Sequence, residues 1–372
     1  MKKNIFIFCP ASSIFSRTDL VKLVEVALSL NFNVEYFGWE RLPGELDKHR
    51  YNLTRVIEKA LITGGGHGVK SRIFYILWTV NVLIKVLSLP RSSTVWAVGW
   101  ETAFPALLAS YFRGIKVIFA DTDRFSMIIK MPILIKKIVQ MLERVTSNKV
   151  HLHVIPGPDR YDWFNSNMYV LRNSPSQNSI DEAMNYTILR PKSDVVLYAN
   201  GWIGKTRGSR VILETIEALK KKGVSVHLIV AGRVDDDFGR QLIIHKDVSF
   251  YGEVCQAKAL SFYRVSDYVF TLYDPSIEIN RYAESSKWGD AVHFGVTIIV
   301  NKEVSTSKFL VDNNAALVFP YESPEILVNL IASESINDFS SSERRRNILK
   351  LKEAWPTYDI GLRRIFRDFI QI

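Results

Sequence analysis

The 372-residue chain is 47% hydrophobic and 23% charged, proportions that fit two globular domains with real cores and exclude a disordered or low-complexity protein. Its formal charge of +10 suits an anionic partner such as nucleotide phosphates, a lipid phosphate or an acidic leaflet, without choosing among them. Cys9 and Cys255 lie too far apart for a metal-binding spacing and read as reduced cytosolic thiols.

The start, MKKNIFIFCP, has a basic tip but an apolar run of about six residues, below the ~7–15 of an export signal. A first buried strand is the reading preferred. TDLVKLVEVALSL then has the spacing of an amphipathic helix, NVEYFGW that of a strand, and LTRVIEKALIT looks helical. GGGHGVKS (64–71) approaches a phosphate-cradling loop, but Val69 stands where glycine must precede the lysine. A flexible glycine loop is expected instead. Ile73–Leu89, IFYILWTVNVLIKVLSL, is 17 residues long with Lys85 inside it, short of the ~20 of a membrane span. It reads as a buried core helix or as a helix lying in a membrane interface, and SMIIKMPILIKKIVQML (126–142) has the same basic and apolar mixture.

TVWAVGW, ETAFPALLASYFRG and IKVIFAD repeat a strand–helix–strand unit, and HLHVIP and NMYVLRN close the first half. Asp121 and Asp123 form an Asp-x-Asp at a strand end, where functional loops concentrate. That pattern can hold a divalent metal, but an acidic loop is the simpler reading and no metal ligands are assigned. SPSQNS marks a linker near Pro175–Lys192. A second alternating series follows: DVVLYANG, SRVILETIEALKKKG, VSVHLIVAG, DVSFYG, QAKALSFYRVSD, DYVFTLYD, AALVFPY and SPEILVNLIAS. Such series predict two doubly wound parallel sheets. DDD (235–237) reads as an exposed turn or helix start, and SSSERRR (340–346) as a polar loop or helix start. EAWPTYDIGLRRIFRDFIQI reads as a helix packing back on the body.

Within the second series, ANGWIGKTRGSRVILETIEAL (199–219) places a strand ending in Gly201, then Lys205 and Arg207 in a glycine-bounded loop, then a helix. Two cations with helix-terminal amides make an anion site. NRYAESSKWGDAVHFGVTIIVN (280–301) sets Gly289, Asp290 and His293 before a β-branched run.

On these residues the chain resembles the nucleotide-sugar glycosyltransferases of the GT-B fold, in particular the large family-4-type group. The resemblance is closer in the second half than in the first. GWIGKTRG has the length of that group's Gly-Arg-x-x-x-x-Lys-Gly loop, with Trp202 where arginine is usual and Arg207 where lysine is usual. Residues 280–301 match its N-x-Y-x-x-x-x-K-x-x-[E/D]-A-x-x-x-G-x-x-x-I pattern. The resemblance implies two Rossmann-like domains facing across a cleft: an acceptor domain at 1–175, a donor domain at 193–355 and a C-terminal helix at 356–372. It implies donor contacts from Gly201, Trp202, Lys205, Arg207, Gly232, Gly252, Glu253, Ser285, Ser286 and Lys287, with Ser285–Lys287 in a loop and Asp290 on the ribose hydroxyls at the start of a helix.

The implied activity is metal-independent transfer of a sugar from a UDP- or GDP-type donor, without a cofactor, to a glycan or lipid-linked acceptor in surface-polysaccharide assembly. Asp121 or Asp123 would serve as base if one is needed. Retention of configuration is favoured and would need none, so the stereochemistry stays open. The expected location is the cytoplasm, with peripheral contact at the inner leaflet an open option, and nucleic acid is not an expected partner. Tyr282 where the group has glutamate, and the missing N-terminal glycine loop, replaced by CPASSIFSRTD, keep two alternatives open. One is a nucleotide-sugar epimerase or hydrolase, for which His153 and His293 are the available histidines, though both look like packing residues. The other is a degenerate binding protein.

Overall fold

The computed structural model describes residues 3–48, 53–66, 69–336 and 338–370. The chain forms two compact units, Met1–Leu171 with Asp359–Ile372, and Arg172–Tyr358.

Seven parallel strands run through the first unit: β1 (Asn4–Cys9), β2 (Asn33–Glu40), β3 (Val56–Thr63), β4 (Thr94–Val98), β5 (Lys116–Ala120), β6 (Leu152–Ile155) and β7 (Met168–Val170), in the order β3-β2-β1-β4-β5-β6-β7. Alternate residues of the central strands, among them Phe6, Phe8, Val95 and Ala97, face one core beneath helices. The helix Val69–Leu87 meets that core through Trp78, Val82 and Val86, one turn apart, and the helix Trp100–Arg113 through Ala103 and Ala106. The C-terminal helix Tyr358–Ile365 and the turn Phe366–Ile370 join this unit, with Phe366 edge-on to Phe32 at 5.1 Å.

One expectation fails here. LTRVIEKALIT is not helical, because it forms the edge strand β3. Val56 and Glu58 are buried while Ile57 is exposed, so a glutamate takes an inward place and breaks the apolar alternation; its carboxylate receives the Ile14 amide at 2.7 Å. The glycine stretch therefore does follow a strand and precede a helix. It sits at the sheet edge, however, and His67 and Gly68 lie outside the described residues.

The second unit holds six parallel strands: β8 (Val195–Ile203), β9 (Val226–Val234), β10 (Val248–Phe250), β11 (Tyr268–Phe270), β12 (Thr297–Asn301) and β13 (Ala316–Phe319), in the order β10-β9-β8-β11-β12-β13. Both sheet faces are buried in apolar clusters, which is why these strands read as continuous apolar runs. The segment expected as a linker carries the helix Gln177–Met184, capped by Ser176, whose hydroxyl accepts the Ser179 amide at 3.2 Å. SSSERRR lies within the helix Asp338–Lys350.

Strand order reverses between β1 and β4 in one unit and between β8 and β11 in the other. In doubly wound sheets, ligands sit at the carboxyl ends of the strands beside that reversal.

Candidate functional site

At the β8–β11 reversal the backbone is shaped by glycines. Gly232 and Gly201 are register partners, and a Cβ on Gly232 would lie 1.8 Å from the Gly201 carbonyl oxygen. Gly232 donates its amide to the Gly252 carbonyl at 2.7 Å, which brings Gly252 alongside and leaves Glu253 exposed next to it. After β8 the chain turns through Lys205–Arg207 and Gly208, at φ 75°, into the helix Ser209–Lys221.

Two acids that sequence reasoning left without a role hold this turn. Asp235 accepts the Trp202 indole N–H at 2.5 Å, and Asp236 accepts the Ser209 hydroxyl at 2.6 Å and the Gly239 amide at 2.8 Å. Trp202 is 54% exposed and committed to Asp235, so this position supplies an aromatic face and no cation.

Arg207 is aimed by two residues from beyond β11. Its Nη1 donates to Asn280 Oδ1 at 3.2 Å, and its guanidinium lies 4.6 Å from the centre of the Tyr273 ring. Asn280 is itself buried and fixed by donating to the Asp274 carbonyl at 2.9 Å. Asn280 opens the motif quoted above, which was the available signal for it; nothing marked Tyr273. Lys205 is exposed, and its carbonyl accepts the Tyr321 hydroxyl at 3.1 Å.

The helix Ser286–Phe294 approaches from the other side. Ser285 is its N-cap, yet its buried hydroxyl has no hydrogen-bond partner among the described residues and no capping bond. The Lys287 Nζ lies 3.6 Å from where a Gly201 Cβ would stand. The predicted loop is therefore shorter than expected: Ser286 and Lys287 are in the first helical turn, and Asp290 is one turn in rather than at the start. Gly289 is required by packing, because a Cβ there would sit 2.0 Å from the Asn173 carbonyl oxygen. Asp290 hydrogen-bonds the buried Tyr263, whose phenol is held well above its usual range first by burial and then by that carboxylate. His293 lies in the last turn.

The structure thus gathers Gly201, Lys205, Arg207, Gly232, Gly252, Ser285 and Lys287 around one reversal, with two helix N-termini opening on it. A depression of about 670 Å³ lined by Lys220, His227 and Asp247 lies at the amino ends of β9 and β10, the opposite end of the sheet.

In the first unit the carboxyl ends of β1, β4 and β5 carry Cys9, Glu101 and Asp121. Asp121 is buried and accepts the Tyr161 hydroxyl on Oδ2 at 2.6 Å, while its Oδ1 has no hydrogen-bond partner among the described residues. Burial pushes its carboxyl up to about 7; the Tyr161 bond opposes the shift and Glu143 adds to it. Glu101 is pushed up to about 7 for the same first reason, its own backbone amide opposing and Asp121 adding. The Cys9 thiol is driven up to about 12 by burial against the opposing charge of Arg17. Asp123 points outward, 3.4 Å from Arg160 Nη1, so the two side chains of the Asp-x-Asp diverge. His153 is buried, stacked on Phe119 at 4.3 Å and held down to about 3 by burial, a neutral packing residue. Sequence reasoning missed Glu101 and Tyr161, whose parts depend on burial.

No family model matches the chain, and no curated protein matches it. Solved structures match it over nearly its whole length. A sucrose-phosphate synthase from Thermosynechococcus elongatus superposes with a TM-score of 0.70 at 11% identity, covering 98% of each chain. MurG from Acinetobacter baumannii gives 0.58 at 14% identity, covering 100% of each. A protein from Listeria monocytogenes described as a UDP-N-acetylglucosamine 2-epimerase gives 0.60 at 11% identity, covering 98% of this chain and 95% of the other. The chain therefore has the GT-B fold, two parallel-sheet Rossmann-like domains. At such identities the likeness defines the fold alone.

Proposed function

We propose that the protein transfers a sugar from a nucleoside diphosphate sugar to a glycan or lipid-linked acceptor. The observation that carries this reading is Arg207, aimed by Asn280 and Tyr273 at the reversal where the helices Ser209–Lys221 and Ser286–Phe294 begin. Fixed cations and helix-terminal amides stabilise a diphosphate most when it leaves, because negative charge develops there in the transition state. Arg207, Lys205 and Lys287 supply the cations, and the Ser285 hydroxyl, without a hydrogen-bond partner among the described residues, a further donor. Asp290 accepts from the ribose hydroxyls, and the glycines at 201, 232 and 252 let the base and ribose approach backbone. No step requires a metal.

The first unit binds the acceptor. Asp121, with one oxygen unpartnered among the described residues and a carboxyl raised to about 7, handles the acceptor proton better than the exposed Asp123. A role in surface-polysaccharide assembly at the inner leaflet, in the cytoplasm, fits an acceptor carried on lipid. A binding-only reading is favoured by one observation, Trp202 and Tyr282 standing where the resembling group has arginine and glutamate.

Incubation with a panel of UDP- and GDP-sugars and a membrane extract decides between them. Acceptor-dependent release of nucleoside diphosphate is expected, and NMR of the new anomeric centre reads retention or inversion. Release of free sugar or of an isomerised nucleotide sugar without acceptor would replace transfer by hydrolysis or epimerisation. Binding without turnover across the panel would leave the degenerate reading.

A further inference from the structure

Three helices cover one face of the first unit's sheet. The helices Val69–Leu87, Trp100–Arg113 and Ile133–Lys149 lie side by side: the Trp78 indole donates to Thr102 at 2.9 Å, and the Trp100 indole to Thr146 at 3.1 Å. Their inner faces are turned toward the sheet. The outer face of an ordinary surface helix is polar. Here it is apolar on all three.

On the first helix Ile73, Ile76, Leu77, Val80 and Ile84 recur at helical spacing, opposite Trp78 and Val82, and are 44–66% exposed. The second adds Leu108, Tyr111 and Phe112. The third adds Leu134, Ile138, Met141 and Val145, opposite the buried Glu143, Thr146 and Ser147. A contiguous apolar surface of this extent on one side of a protein marks a binding face.

Charge says what it binds. The exposed Arg91, Lys130, Lys137, Arg144 and Lys149 border the apolar stripes. The three helices contain two acids, Glu101 and Glu143. The first folds back toward Gly99, and the second is buried against Ser126 and Arg124. Among the described residues of these helices, the exposed charged side chains are therefore all positive. A second copy of this chain would set cation against cation, whereas an anionic leaflet neutralises them. A bilayer needs no matching shape: acyl chains accept the aliphatic side chains and lipid phosphates accept the lysines and arginines.

We propose that this three-helix face docks on an anionic lipid bilayer, with the helices lying in the interface. Among the described residues no helix is long and apolar enough to cross a membrane. The inference gives a location to the inner-leaflet contact named under the proposed function, yet it fails or succeeds without nucleotide or acceptor.

The full chain, sedimented with phosphatidylcholine vesicles and with vesicles carrying about one-third phosphatidylglycerol, tests it. The expected result is pelleting with the anionic vesicles, little with phosphatidylcholine alone, and weaker binding in about 0.5 M salt. Ile138→Ser with Met141→Ser, and separately Lys137→Glu with Lys149→Glu, should each lower the partition by about tenfold or more. All four side chains are exposed, so an unchanged thermal midpoint confirms folding. Absence from both pellets, or undiminished pelleting of either variant, overturns the proposal. A solution dimer dissolved by the Ile138 and Met141 substitutions, with no vesicle binding, overturns it too and gives the face to a second copy.

Discussion

The two strand-order reversals are built from opposite materials. The one in the second unit is made of glycines, cations and helix N-termini, with polar ties such as Asp236 to Ser209 and Asn280 to Arg207. The one in the first unit is made of protonatable groups, the buried Asp121 and the half-buried Glu101, whose carboxyls are both raised by desolvation. Equivalent places in two sheets of the same topology therefore suit different tasks. Under the proposed function, one would stabilise the charge that develops on a leaving diphosphate, and the other would handle a proton.

Substitutions can break this contrast. Arg207→Ala should have the largest effect, lowering kcat/KM by about 100- to 1,000-fold, as loss of a donor to developing charge does elsewhere. Arg207→Lys keeps the charge without the two-sided aim from Asn280 and Tyr273 and should recover only part of the loss. Asp121→Asn should lower kcat by about 100-fold if Asp121 takes the acceptor proton. It also carries a pH signature. The Asp121 carboxyl is raised from its ordinary 3.8 to about 7, so its contribution to stability is complete below the lower value and is lost as pH rises through the upper one. The asparagine variant should therefore lose less stability than the native chain as pH goes from about 5 to about 8, read from thermal midpoints. An unchanged pH slope would mean that Asp121 is ionised throughout.

Asn280→Ala should act more weakly, raising KM by about tenfold by releasing the Arg207 guanidinium and costing about 1 kcal/mol of stability from the lost buried hydrogen bonds. Smallest in activity but visible in stability is Gly289→Ala. Its Cβ would collide with the Asn173 carbonyl, which should destabilise the second unit by about 1–3 kcal/mol in denaturant titration.

The contrast also explains what could be read from the amino-acid sequence. The alternation of strands and helices, and hence the two sheets, follows from apolar periodicity, which burial on both faces reinforces. The strand–turn–helix at Lys205–Arg207 was legible because glycines bound the turn and a helical apolar period follows it. Strand β3 was misread because the inward Glu58 and the exposed Ile57 break the apolar alternation that marks a strand. The placement of Asp290 was off by a turn because Ser285, Ser286 and Lys287 were all read as loop, whereas Ser285 is the N-cap and the helix begins at Ser286. Glu101 and Tyr161 were invisible because their chemistry arises from burial beside Asp121, and nothing in local spacing records who will be neighbours.

The central claim is that a nucleoside diphosphate binds at the β8–β11 reversal. Thermal unfolding of the native chain with UDP, GDP, ADP and CMP, alongside Arg207→Ala and Asp290→Ala, measures it without an acceptor. Saturation to about 100 times the dissociation constant should stabilise the native chain by roughly 2.7 kcal/mol for the matching diphosphate. Both variants should lose most of that gain. No stabilisation by any of the nucleotides, or full stabilisation of both variants, would contradict the assignment.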